Sequence, residues 1–198
     1  ERARRLVTAA VLVIMPTVFV FAFATHPGLG PIQPLEPAEL ILRARGDRLL
    51  QFGHALVTLD AALLVAVAVH LQRTLRGGRG AWAGWLGGCL AVLGACLLAA
   101  GKGAMCLTMS ALDTVDDRTF AAMLPGLLAI FEKHGWMVLV WGMVLLPIGF
   151  AVQAIGLFQA GAWPRWQVAA LLAGSLLIGT PDGMDVVNLA AALTLCLA

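Results

Sequence analysis

Charge is what this sequence has least of. Only 12% of its 198 residues are charged, about half the roughly 25% of a soluble globular domain, while 61% are apolar. That composition excludes a soluble domain. Thirteen Lys and Arg stand against eleven Asp and Glu, a formal net charge of +2, so there is no basic field to neutralise a run of phosphates and nucleic-acid binding is excluded. The signatures of soluble enzymes are missing too: no GxSxG, HExxH, Walker A or dinucleotide glycine fingerprint occurs, and nothing points to catalysis. Gly101-Lys102-Gly103 lacks the upstream glycines of a phosphate loop and falls inside an apolar run. The four cysteines make no CxxC pair and no Cys/His zinc spacing. Cys89, Cys96, Cys106 and Cys196 read as small buried packing residues without a disulfide. No internal repeat relates the two halves, so the inverted-repeat signature of many transporters is absent as well.

Long apolar runs are what the sequence does have. About 20 apolar residues cross a hydrocarbon core of roughly 30 Å. Residues 6–24, 49–71, 82–107 and 135–158 are that long, and 166–180 and 186–198 read as shorter fifth and sixth spans. The expected fold is all-α: one polytopic transmembrane bundle over 1–198, of about six helices, with short outer interfacial helices. Arg2, Arg4, Arg5, Arg73, Arg76, Arg79 and Arg165 fall on one side with only Glu1, whereas the opposite side holds most of the acids. By the bias of Lys and Arg toward cytoplasmic loops, both termini are cytoplasmic and the acidic loops face outward. Trp82, Trp85, Trp163 and Trp166 mark the inner boundary and Trp136 the outer one. The first run lacks a small-residue cleavage site and reads as a retained span rather than a signal peptide.

Two outer connections carry their own patterns. Residues 25–48 hold four prolines, then a helical stretch from Pro37 to Arg45 that Gly46 can end, with Glu39 and Arg43 four apart. In 119–131, Phe120, Met123, Leu124, Leu127, Leu128 and Phe131 recur at helical spacing, which suits a helix along the outer interface or a cap over the bundle.

Between helices in lipid, close association relies on small residues. Gly80, Gly84 and Gly88 repeat every four residues in the third span; Gly135, Gly142, Gly149 and Gly156 repeat every seven in the fourth, a seam suited to left-handed packing. Pro147 is expected to kink that fourth helix.

Ionisable groups inside the spans are the remaining candidates. At about 1.5 Å per residue, His54 and Lys102 each lie about 8 Å below the outer end of their spans, and Asp60 lies about 9 Å further in. An ionised carboxylate there costs several kcal/mol unless it is paired or reaches water, so Asp60 and Lys102 are expected to form an intramembrane pair, either structural or part of a proton, ion or substrate path. His26 closes the first span and His134 opens the fourth, near His54 in depth; His70 is alone at the inner boundary.

Six spans with several histidines resemble the two-haem membrane cytochromes of the b561 type, whose ligands are helix-borne histidines paired across the bundle at both faces. The inner face offers only His70, which defeats a two-haem reading. The resemblance leaves one haem or chlorin held by His54 with His26 or His134. In layout the chain also resembles small bacterial polytopic proteins with a His-Pro at the end of the first span, which implies a bacterial inner membrane. The leading expectation is a non-catalytic subunit that packs against other membrane proteins in a larger assembly. The alternatives are a redox or pigment protein using His54, and a small transporter or channel using Asp60 and Lys102.

Overall fold

A computed structural model describes residues 2–26, 29, 36–132, 138–178 and 184–198, and side chains outside 4, 5, 131 and 138–143 within these ranges. The described residues form eight α-helices and no strand. They are α1 (Arg2–Ala24), α2 (Pro37–Ala44), α3 (Arg48–Thr74), α4 (Ala81–Leu112), α5 (Asp117–Phe131), α6 (Val138–Ala160), α7 (Arg165–Leu177) and α8 (Asp185–Leu195). Three helices are long and apolar enough to cross a membrane: α1 over Leu6–Ala24, α3 and α4. The 13 residues of α7 and 11 of α8 reach about 20 and 17 Å, short of a hydrocarbon core of roughly 30 Å. His134 and Gly135 lie outside the described residues, as does the start of the expected fourth span.

Six helices close into a ring. α1 packs on α3, α3 on α4, α4 on α6, α6 on α7, α7 on α8, and α8 returns to α1. One end of the ring carries Arg2, Arg73, Arg76, Arg79 and Arg165 and is called here the basic end; the other carries α2, α5 and the acidic turns. Met15, Phe19, Leu64, Leu146, Phe150 and Leu171 fill the middle. At this centre a cavity of about 30 Å³, large enough for a water molecule, is lined by apolar side chains and Ser175.

Glycine sets the tightest contact, between α4 and α6, but with a different register from the expected four-residue repeat. A Cβ on Gly87 would lie 2.6 Å from the Gly149 carbonyl oxygen, one on Gly149 would collide with the Ala91 backbone, and one on Gly94 with the Leu146 backbone. The α4 seam facing α6 is therefore Gly80, Gly87 and Gly94, at seven-residue spacing like Gly149 and Gly156 opposite. A seven-residue step drifts only about 20° around a helix, whereas a four-residue step turns about 40°. Gly84 and Gly88 accordingly rotate toward Leu75 and Gln72. What surrounds Gly142 lies outside the described side chains. Gln153, fully buried on α6, ties the three central helices: its Nε2 donates to the carbonyls of Ala68 at 2.8 Å and Gly84 at 3.3 Å.

At the acidic end, α2 and α5 form a cap. Asp47 caps α3 by accepting from the Leu49 and Leu50 amides, both at 3.0 Å. Gly46, at φ +72°, turns the chain out of α2. Arg45 donates to Asp117 Oδ1 at 2.8 Å and to the Val115 carbonyl at 3.0 Å, with its guanidinium 4.2 Å from the Phe120 ring centroid. Phe120 and Leu127 pack on Ile41, Leu50, Met109 and Leu112, so α5 covers the ends of α3 and α4, while Met123 of the expected apolar face is exposed.

The cysteines correct the sequence reading. All four are free, but Cys89, Cys96 and Cys196 are exposed on the outer surface of the bundle rather than buried, and Cys106 is intermediate. A thiol is apolar enough for a lipid-facing helix surface, so a small side chain there gives no packing signal.

Candidate functional site

The close approach of α1 to α3 builds the site. A Cβ on Gly53 would lie 3.5 Å from both Ala22 Cα and Thr25 Oγ1, so this glycine lets the end of α1 lie against the start of α3. His26, just past α1, is thereby carried beside His54, with ring centroids 6.1 Å apart and planes at 51°. From the first turn of α8, Asp185 reaches the same place: its Oδ2 is 2.7 Å from His26 Nδ1. An ionised carboxylate only accepts, so Nδ1 donates to it and Nε2 of the neutral imidazole is left as the acceptor or metal-binding nitrogen. Asp185 is 2% exposed, and Asn188, one turn along α8, is buried as well.

His54 is 6% exposed, and its Nε2 has no hydrogen-bond partner. Lys102 lies within electrostatic reach of it, as does His26. Gly103 faces Thr58 of α3, one turn further in than His54, which sets Lys102 between the levels of His54 and Asp60.

Asp60 does not form the expected pair with Lys102. It is 2% exposed, on the buried stripe that also carries His54, Val57, Ala61 and Leu64, and neither carboxylate oxygen has a hydrogen-bond partner. That stripe faces the interior of the ring, whereas Lys102 is only half-buried on a neighbouring helix. Opposite charges on two neighbouring antiparallel helices thus do not by themselves bring the groups into contact. One turn beyond Asp60, Leu64 begins the apolar lining of the central cavity. Polar groups therefore run from the acidic end through His26, Asp185 and His54 to Asp60, and apolar side chains close the way beyond.

Two nitrogen ligands with rings this close can share one metal ion at bonds of about 2.0–2.1 Å, so His26 and His54 are the residues here that suit a metal-centred group. No group of three or more metal-ligating side chains occurs among the described residues. His70 lies at the basic end, far from this cluster. Gln153, Ser175, Asp185 and Asn188 are the buried polar residues that sequence reasoning missed. Asp185 had a signal, since the end of the first span and the start of the last were expected on one side; a lone Gln153 in an apolar run had none.

The class that fold and site define is a helical bundle with three helices able to cross a membrane and a buried cluster of His54, Asp60 and Asp185 beside His26. No protein-family model, curated protein or solved structure matches the chain.

Proposed function

We propose that the chain is a six-span protein of a bacterial inner membrane, with both termini cytoplasmic, that takes up a proton or small cation from the outer face onto His54 and Asp60 as a step in moving it across. One observation carries this reading: Asp60 and His54 present buried polar atoms with no partner, in a segment where such groups are costly unless they bind something. His26 and Asp185 supply the entry, and Lys102 beside His54 modulates the charge that the site tolerates. The apolar closure beyond Asp60 makes this a one-sided access, so transfer requires the ring to loosen around Leu64 and Leu146. Of the glycines that supported a subunit role, Gly80, Gly149 and Gly156 are used between α4 and α6, and Gly84 and Gly88 face Leu75, Gln72 and Gln153 inside the bundle, so these five give that role no external surface.

Proteoliposomes containing a pH-sensitive dye test the proposal. An acid pulse under a potassium–valinomycin clamp should acidify the lumen faster with wild-type protein than with Asp60→Asn, and sodium and potassium gradients test the cation version. Equal fluxes for wild type, Asp60→Asn and empty vesicles with all three ions would refute it. A second reading, the non-catalytic subunit of a larger assembly, rests on Met123 and Ile130, exposed on the cap helix α5; stable co-purification of another membrane protein tests it. A haem or chlorin on His54 and His26 is a third use of the same histidines, supported by their 6.1 Å spacing, and a Soret band in the purified protein tests that.

A further inference from the structure

The close contact of α1 and α3 at Gly53 is not kept along their length. Toward the basic end the facing positions carry valine and leucine, and the two helices part to leave an open groove of about 560 Å³. Val7, Val11 and Leu12 of α1 form one wall, and Val67 and Val69 of α3 the other. On α3 the groove runs from Ala66 to Thr74, about 12 Å, which fits within one leaflet of a hydrocarbon core of roughly 30 Å.

The groove is apolar along its length and cationic at its mouth. His70 and Arg73 line its end, and the exposed Arg76 and Arg79 follow in the next turn. Arg73 is exposed and pairs with no acidic side chain among the described residues. Trp82 and Trp85, both strongly exposed at the start of α4, mark this level as a membrane–water boundary.

From this pairing of an apolar groove with a cationic mouth, we infer that the groove between α1 and α3 is a binding site for one anionic phospholipid. An acyl chain lies between the two helices and the headgroup phosphate meets Arg73. The walls exclude a polar ligand, the charge at the mouth selects against a zwitterionic headgroup, and basic pockets between membrane helices bind anionic headgroups on this principle. The inference is independent of the His54–Asp60 cluster, which lies toward the opposite end of α3.

Native mass spectrometry of the detergent-solubilised protein, titrated with phosphatidylglycerol or phosphatidylcholine, tests it. The wild type should retain one phosphatidylglycerol per chain with about fivefold preference, the factor one cation near the headgroups supplies. Arg73→Gln, a change at an exposed position, should bring the two lipids to parity without loss of phosphatidylcholine. Thr8→Trp, which fills the groove from α1, should weaken both. Inorganic phosphate should not displace the lipid. Parity in the wild type, a preference unchanged by Arg73→Gln, or displacement by phosphate would overturn the assignment. So would a lipid-free dimer dispersed by Thr8→Trp, which would give the groove to a second copy of the chain.

Discussion

Replacing Asp60 by leucine should stabilise this protein and, if the proposed uptake is its function, abolish the ion flux into proteoliposomes. Both carboxylate oxygens are buried and unpartnered, so the side chain carries a desolvation cost with nothing to offset it. For a buried polar group without a hydrogen bond, protein data put that cost at about 1–3 kcal/mol, and scales for an ionised Asp at the centre of a membrane helix give roughly 2.5–3.5 kcal/mol. Leucine has the same branching with bulkier ends, and its apolar side chain suits buried neighbours along the helix such as Val57 and Leu64. Asp60→Leu should therefore gain about 1–3 kcal/mol, read as a higher midpoint in thermal or SDS unfolding followed by circular dichroism. The cycle with Lys102→Met should show coupling below about 0.5 kcal/mol, as expected of residues that share no contact. A loss of stability in Asp60→Leu, or coupling above about 1 kcal/mol, would mean that the carboxylate has a partner within the fold and would refute the reasoning.

Gly149→Leu should destabilise by about 1–3 kcal/mol or prevent folding, since its side chain meets backbone of α4 that cannot give way; Gly103→Leu, facing only Thr58 at 3.4 Å, is the control in the same assay. A cysteine introduced at Gly78 should react with an impermeant maleimide only after permeabilisation, and one at Arg118 without it, in a background lacking the native cysteines; labelling of both from outside would reverse the positive-inside argument. Thr119 holds the Asp116 carboxyl below its ordinary value of 3.8, through its amide at 2.9 Å and its hydroxyl at 3.0 Å. A depressed carboxyl pKa contributes stability that is present above the ordinary value and lost as pH falls through the folded one, so the start of α5 should fray below about pH 4. Hydrogen exchange at the Thr119 amide reads this, and Asp116→Asn should remove the pH dependence.

Helix type and extent were legible because a run of apolar residues states its own length. The segment 49–71 is found within α3 and 82–107 within α4, each extended by the polar turns that cap it. The seam register was less legible: a four-residue glycine repeat looks like one face, but its 40° drift turns Gly84 to Leu75 and Gly88 to a place between Gln72 and Gln153, and the decisive Gly87 and Gly94 stand out only once the opposing heptad of α6 is known. Helices shorter than the core thickness, such as α7 and α8, cannot be counted as spans by hydropathy, since length is the whole of that signal.

The candidate site divides along the same line. Depth follows from counting residues, so His26 and His54 could be set at one level from the sequence, and the structure brings them together. Angle does not follow from counting. A residue two steps along a helix is only about 3 Å deeper but has turned by about 200°, which is enough to carry a lysine from the centre of a ring to its edge. Lys102 and Asp60 looked like partners because their charges were opposite and a long lysine side chain could cover part of the offset in depth between them, yet neither carboxylate oxygen of Asp60 has a partner in the structure. The error is informative about function. Had the pair formed, it would have accounted for both charges by packing alone; with no partner for the buried carboxylate, the proposed uptake onto Asp60 gives that side chain a role that the double-mutant cycle and the flux assay can separate.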